Sequence, residues 1–164
     1  MPSIMIKAAA VADAPLLEAL AKEIWTQHYA DIITMDQIRY MLENFQSAEA
    51  IVQDMQSGAV YDIAYADGEP CGYSAAVPDG TALFLSKLYV RQSCRGLGIA
   101  RAMVSRIEQR AKASGLLHLS LKCNKYNTGS LAAYERLGFS VAYACVTDIG
   151  NGFIMDDYAL EKAL

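Results

Sequence analysis

The apolar positions of this chain switch repeatedly between two rhythms, and each switch marks a structural element. Ile4 and Ile6 alternate as a short strand. Leu16, Leu17, Leu20 and Ile24 then recur at three- and four-residue spacing, which predicts a helix capped by Asp13 and running to about Tyr29. Thr34 followed by Gln37 is a capping-box pattern, opening a second helix that carries Ile38, Met41 and Leu42. Ser47 caps a third, short one that ends at Gly58. From Ala59 the period falls to two. "VYDIAYA", Asp67-Gly68, "CGYSAAV", Pro78-Asp79-Gly80 and "ALFLSKLYV" predict two hairpins in series and hence three antiparallel strands. Helical spacing returns in Ile99, Met103, Val104, Ile107 and Ala111 up to Gly115, and "LHLSLKC" alternates again. Asn127 to Leu137 reads as a helix closed by Gly138 as its C′ residue, and the tail predicts strands at about 140–147 and 153–160.

Strand–helix alternation is confined to the second half, so this order predicts an α+β fold with a mixed, mostly antiparallel central sheet flanked by helices rather than a doubly wound one. The 164 residues suit a single domain, 1–164, without internal repeats. An apolar fraction of 54% with 20% charged residues, evenly spread, predicts a compact chain rather than a disordered one. No basic segment precedes a long apolar run near the start, and no run approaches the roughly 18 apolar residues of a membrane helix. The expected location is cytoplasmic, with no membrane partner. Cys71, Cys94, Cys123 and Cys145 form no CxxC pair and lack nearby His partners, which predicts free thiols and no zinc site. His28 and His118 likewise have no ligand-spaced partner. A net charge of −4 argues against nucleic acid and weakly favours a cationic partner.

The stretch "VRQSCRGLGIARAM", Val90 to Met103, places Gly96 and Gly98 between a strand and a helix. Free backbone amides and the helix dipole at such a junction favour an anion, with Arg95 and Arg101 flanking it. The simpler alternative is a strand-to-helix turn with solvent-facing arginines. A Walker loop is absent. A dinucleotide loop fails too, because Arg101 occupies the third glycine position and "LHLSLK" supplies no acid about 20 residues on.

These residues resemble the GCN5-related N-acetyltransferases. Their acetyl-CoA signature, [QR]-x-x-G-x-[GA], is matched by Arg95, Gly98 and Ala100 with "KLYV" before it. A second match is Asn127, Tyr134, Gly138 and Phe139 in "NTGSLAAYERLGF". The resemblance covers essentially the whole chain and implies a metal-free enzyme that uses acetyl-CoA as cosubstrate. It implies that backbone at Leu88, Tyr89 and Val90 pairs with the pantetheine arm. Arg95 and the amides of Gly96, Leu97, Gly98, Ile99, Ala100 and Arg101 would hold the pyrophosphate, Asn127 would touch the cofactor arm, and Tyr134 would lie near its sulfur as the catalytic residue. A phenol of ordinary pKa near 10 does not readily protonate a thiolate of pKa near 8.5, so hydrogen-bond stabilisation is the expected role of Tyr134.

The chain departs from the family in one respect. Many relatives carry a glutamate as base in the strand before the loop or in the next strand, whereas Lys87 and Lys122 stand here. Glu23, Asp31 and Asp36 of the first helices are the candidate replacements, acting through water. "YADIITMDQIRYML" is similar to a bacterial subgroup near the PaiA-type polyamine acetyltransferases, and Trp25, Tyr29 and Tyr40 are candidate substrate-binding residues, with simple packing of Trp25 on Tyr29 as the alternative. The expected activity is direct transfer of an acetyl group to a primary amine, small molecule or peptide, with a polyamine among the candidates. The alternatives are a non-catalytic acyl-CoA-binding regulatory module and a protein N-terminal acetyltransferase of the ribosomal-protein type. A homodimer through the last strands stays open.

Overall fold

The structure, a computed structural model, describes residues 2–164. Its spine is a seven-stranded sheet built from β1 (Ile4–Ala8), β2 (Val60–Ala66), β3 (Glu69–Asp79), β4 (Ala82–Val90), β5 (His118–Asn124), β6 (Ser140–Gly150) and β7 (Phe153–Ala163). The spatial order is β1-β2-β3-β4-β5-β7-β6, and every neighbouring pair is antiparallel except β4 with β5. The α+β mixed sheet expected from the sequence is the observed one. Helices α1 (Ala14–His28), α2 (Met35–Phe45) and α3 (Ala48–Gln56) cover one face, burying Leu17, Ile24, Trp25, Ile38 and Ile51 on Tyr61, Ile63 and Tyr73 of the sheet. On the other face α4 (Ile99–Ala113) and α5 (Thr128–Arg136) pack Val104, Ile107, Leu131 and Tyr134 on Leu83, Leu85, Leu119 and Leu121. Among the described residues no helix is long and apolar enough to cross a membrane.

Several element ends differ from the sequence expectation for identifiable reasons. Asp13 does not cap α1 with its side chain. Its carboxylate accepts instead from the Ala10 amide at 2.8 Å, closing a 3-10 turn over Val11–Asp13, and Pro15 fits the first turn of α1 where no amide donor is needed. Only half of the capping box at Thr34 closes: Thr34 Oγ1 accepts from Gln37 N at 3.1 Å, but the Gln37 amide donates to Ile154 O at 2.9 Å and so ties α2 to β7. β3 runs on through Pro78 to Asp79, leaving Gly80-Thr81 as the turn. The last two strands are longer than expected because Asn151 and Gly152, at φ 53° and 79°, form a tight hairpin turn whose left-handed residues match the strand twist and lock the register. Replacing Thr34 by alanine removes a cap acceptor and is expected to cost about 1 kcal/mol, read as a lower midpoint in urea unfolding.

The site is positioned by a defect in the middle of the sheet. β4 pairs with β5 only where Ala82, Leu83 and Phe84 meet His118, Leu119 and Ser120. Just beyond, Ala76 faces Leu85 and Ala75 faces Lys87, so Ser86 is an extra residue on β4. Such a bulge sharpens the local twist and turns the strand away from its neighbour. From Leu85 to Val90 the β5-facing edge of β4 therefore lacks a strand partner. On β2, Asp62, only 1% exposed, ion-pairs with Arg110 at 2.8 Å and Arg106 at 3.3 Å, anchoring α4 to the sheet.

Candidate active site

The splay of β4 from β5 opens a cleft of about 1020 Å³, bounded by the C-terminal end of α1, the open edge of β4, the start of α4, the end of β5 and the start of α5. At its mouth the chain leaves β4 through a 3-10 turn, Gln92–Cys94, and enters α4 through Arg95 to Gly98. Gly96 and Gly98 have φ of 82° and 78°, a left-handed conformation that glycine adopts without steric cost. A Cβ at either position would meet no atom, so the backbone fold requires glycine there and the space in front of it is open. The first helical bond of α4 runs from Ala102 N to Gly98 O, which leaves the amides of Ile99, Ala100 and Arg101 without intrahelical partners. Open space, free amides and the positive end of a 15-residue helix together can seat a phosphate.

Leu88, Tyr89 and Val90 line the cleft on the unpaired edge of β4, and Gly96, Gly98, Ile99, Ala100 and Arg101 line it at the helix start. Leu97 does not: its side chain turns into the apolar cluster formed by Cys71, Ile99 and Met103. Arg95 reaches across the mouth to His28, with its Nη2 donating to Nδ1 at 3.1 Å. A guanidinium only donates, so His28 accepts at Nδ1 and is neutral in this pair. Its pKa is pulled down by burial and by the charge of Arg95, against a smaller upward effect of Asn127.

On the inner wall Trp25 stacks on Tyr29 at 4.4 Å and tilts against Tyr89 at 5.4 Å, while Tyr73 lies 5.4 Å beyond Tyr89. Trp25 and Tyr29 thus both pack and face the cleft. Tyr40 does not face it. Its hydroxyl donates to Ile149 O at 2.6 Å and its ring tilts on Phe153 at 5.3 Å, so this tyrosine fastens α2 to the β6–β7 hairpin. Asn127 is buried at the start of α5, where its Oδ1 accepts from Ser130 N at 3.4 Å as the helix cap, and it lies beside both His28 and Tyr29. Tyr134 sits about two helix turns further on, edge-on to Phe139 at 5.8 Å. Burial, and then Cys123 and Tyr29, push its pKa well above that of an ordinary phenol. It is held as a neutral phenol.

The candidate bases named from the sequence are elsewhere. Glu23 accepts from Arg91 Nε at 2.7 Å, Asp36 lies exposed beside Arg39, Asp31 is exposed, and none of the three lines the cleft. Among the ionisable groups that do line it are two that the sequence did not mark as site residues. Lys87, 6% exposed, donates to Phe45 O at 2.5 Å, faces Asp54 at 3.4 Å and lies 5.2 Å over the ring of Tyr61. Asp157, on β7, is 1% exposed with Oδ1 lacking any hydrogen-bond partner among the described residues. The signal for Asp157 was a carboxylate inside the otherwise apolar strand "FIMDDYAL"; its burial depends on tertiary packing.

Burial lowers the Lys87 pKa to about 8, an effect larger than the opposing pull of Asp54. The folded-state value lies below the unfolded one, so protonating Lys87 costs stability, and that cost disappears as pH rises from 8 towards 10.5. Lys87→Met is therefore expected to stabilise the fold by about 1–3 kcal/mol at pH 7, with the gain shrinking above pH 8. Urea unfolding at pH 7 and pH 10 checks the sign and the trend.

Comparison with known proteins gives one family. A family model described as "Acetyltransferase (GNAT) family" matches residues 17–139. The thialysine N-epsilon-acetyltransferase of Caenorhabditis elegans is 27% identical over 124 residues, covering 71% of this chain and 75% of that protein. The spermidine N(1)-acetyltransferase of Thermoplasma acidophilum is 26% identical over 159 residues, 94% of this chain and 96% of that one. Among solved structures, the PaiA N-acetyltransferase of Thermoplasma acidophilum in complex with coenzyme A superposes with a TM-score of 0.84 at 23% identity, covering 99% of each chain.

Proposed function

This chain belongs to the acetyltransferase (GNAT) family, and from that premise we propose that it transfers the acetyl group of acetyl-CoA directly to the primary amine of a small aliphatic acceptor. The observation that carries the reading is the left-handed glycine turn at Gly96 and Gly98, which opens the amides of α4 onto the unpaired edge of β4. The pantetheine arm, an extended chain with two amides, takes the place of the missing strand neighbour at Leu88, Tyr89 and Val90. The pyrophosphate sits on the amides of Gly96 to Arg101, Leu97 contributing backbone alone, and draws Arg95 from its neutral partner His28 to its own negative charge. These placements bring the thioester towards Tyr134.

The amine approaches along the aromatic wall formed by Trp25 and Tyr29, which both border the cleft. It attacks the thioester carbonyl in a ternary complex, and the Tyr134 hydroxyl donates to the sulfur as negative charge grows on it. Asn127 caps α5 and thereby fixes the helix turn that carries Tyr134. The aliphatic acceptor is supported by the relatives named for spermidine and thialysine, and by the aromatic inner wall.

Release of free thiol from acetyl-CoA, followed across spermidine, thialysine, aminoglycosides and peptide N-termini, tests the reading. Turnover is expected with an aliphatic amine. Tight acetyl-CoA binding with no turnover on any amine would instead mark a non-catalytic acyl-CoA-binding module, and turnover on peptide termini alone would mark a protein N-terminal acetyltransferase.

A further inference from the structure

We propose that the carboxylate of Asp157 is the base that takes the proton from the acceptor amine. The inference rests on the acetyltransfer reading above and supplies the group that reading lacks. An alkylamine reaches the site as an ammonium ion, and only the neutral amine has a lone pair with which to attack. The strands that carry an acid in many relatives present Lys87 and Lys122.

Asp157 answers the need by position. β7 lies beside β5 on the far side of the opening from β4, with Asp157 opposite Asn124, the last residue of β5. The side chain is buried yet borders the cleft, and its Oδ1 has no donor among the described residues. A carboxylate oxygen hidden from both water and donors is costly to keep, and the N–H of an ammonium ion in the cleft relieves that cost. Asp54 also borders the cleft, but it accepts from Tyr61 at 2.6 Å and faces Lys87.

The groups around Asp157 are Cys123 and Lys122 on β5, Lys125 just after it, Asp156 on its own strand and Tyr29 after α1. Lys125 is engaged by Asp156 at 2.9 Å. Burial raises the Asp157 pKa, with the negative charge of Asp156 adding to it, and Lys122 and Lys125 oppose that rise. Tyr29 and Cys123 also border Tyr134, so base and sulfur donor share one chamber.

The proton count closes. Asp157 takes one proton from R–NH3+, the neutral amine forms the new C–N bond, and the C–S bond breaks with its electron pair leaving on sulfur. The nitrogen sheds its second surplus proton to the thiolate, giving the amide and free CoA, and Asp157 returns the first proton to solvent.

The experiment compares the parent with Asp157→Asn, using spermidine and hydrazine as nucleophiles. Hydrazine is a far weaker base than an alkylamine and offers a substantial neutral fraction near pH 8, so it needs the base far less. Asp157→Asn is expected to lower kcat/KM for spermidine about a hundredfold and for hydrazine by less than threefold. In Asp157→Asn the spermidine rate should depend on amine that is already neutral, so the acid limb should move up towards the amine's own pKa, while acetyl-CoA affinity measured by calorimetry stays at the parental value. Asp157→Glu, which keeps a carboxylate, should retain the parental acid limb. Equal losses with both nucleophiles, or an acid limb in Asp157→Asn that stays at its parental position, would overturn the assignment while leaving acetyltransfer intact. A parent protein idle with every amine would overturn the transferase reading itself.

Discussion

Gly98→Asp is expected to weaken acetyl-CoA binding about a thousandfold while leaving the fold in place. The space before Gly98 is open, so the new side chain meets no protein atom and projects where the reading places the pyrophosphate. Two unit charges of like sign about 5 Å apart repel by roughly 3 kcal/mol at an effective dielectric of 20. A non-glycine residue at φ 78° adds about 1 kcal/mol of backbone strain. The sum of about 4 kcal/mol corresponds to three powers of ten in affinity. Gly98→Ala carries the strain without the charge and should lose only about fivefold. Calorimetry on both variants, with circular dichroism to verify the fold, separates the contributions. Parental affinity in folded Gly98→Asp would remove this loop from the donor site.

Tyr134→Phe is expected to lower kcat by roughly 10- to 1000-fold with little change in acetyl-CoA affinity. A hydroxyl aimed at the sulfur matters little to the neutral thioester and much to the departing thiolate, and one such donor is worth about 1.4–4 kcal/mol in the transition state. Phenylalanine keeps the edge-on contact with Phe139, so the melting temperature should stay near the parental value. The rising phenol pKa sharpens the expectation: because Tyr134 does not ionise in the working range, no basic limb of the rate profile belongs to it. Parental turnover in Tyr134→Phe with a good amine would reduce the Asn127-to-Phe139 segment to packing against the sheet.

Much of this was legible in the chain because local signals and tertiary needs coincide. The switch in apolar period at Ala59 separates the helical first third from the hairpins, and the two glycines mark the loop because their left-handed backbone leaves few other residues possible. Where a residue had two possible partners, spacing misled. Asp13 turned to Ala10, the Gln37 side chain to β7, and Tyr40 to Ile149 rather than the cleft. Asn151-Gly152 was a readable hairpin signal that would have set the longer final strands. The opening itself was not readable. It depends on one extra residue at Ser86 and on β5 ending its pairing with β4 after Ser120, both set by register across distant segments. Asp157 was hidden for the same reason: a carboxylate doublet in the last strand reads as solvated until the fold places that strand between β5 and β6.

The narrow junction between β4 and β5 also has a consequence for how the molecule comes apart. Three residue pairs join the half-sheet β1–β4 to the half-sheet β5–β7, while the hairpins within each half pair along most of their length. Amide protons of β5 and β7 should therefore exchange through a partial opening that leaves β2 and β3 protected, making the two halves distinct cooperative units. Glu108 on α4 and Lys162 on β7 form an ion pair that spans the seam from behind. On the proposed reading, a donor lying along the free edge of β4 would span it from the front. At a hundredfold excess over Kd that ligand adds about 2.7 kcal/mol to the closed form, so the cell's acetyl-CoA level sets how often this seam breathes.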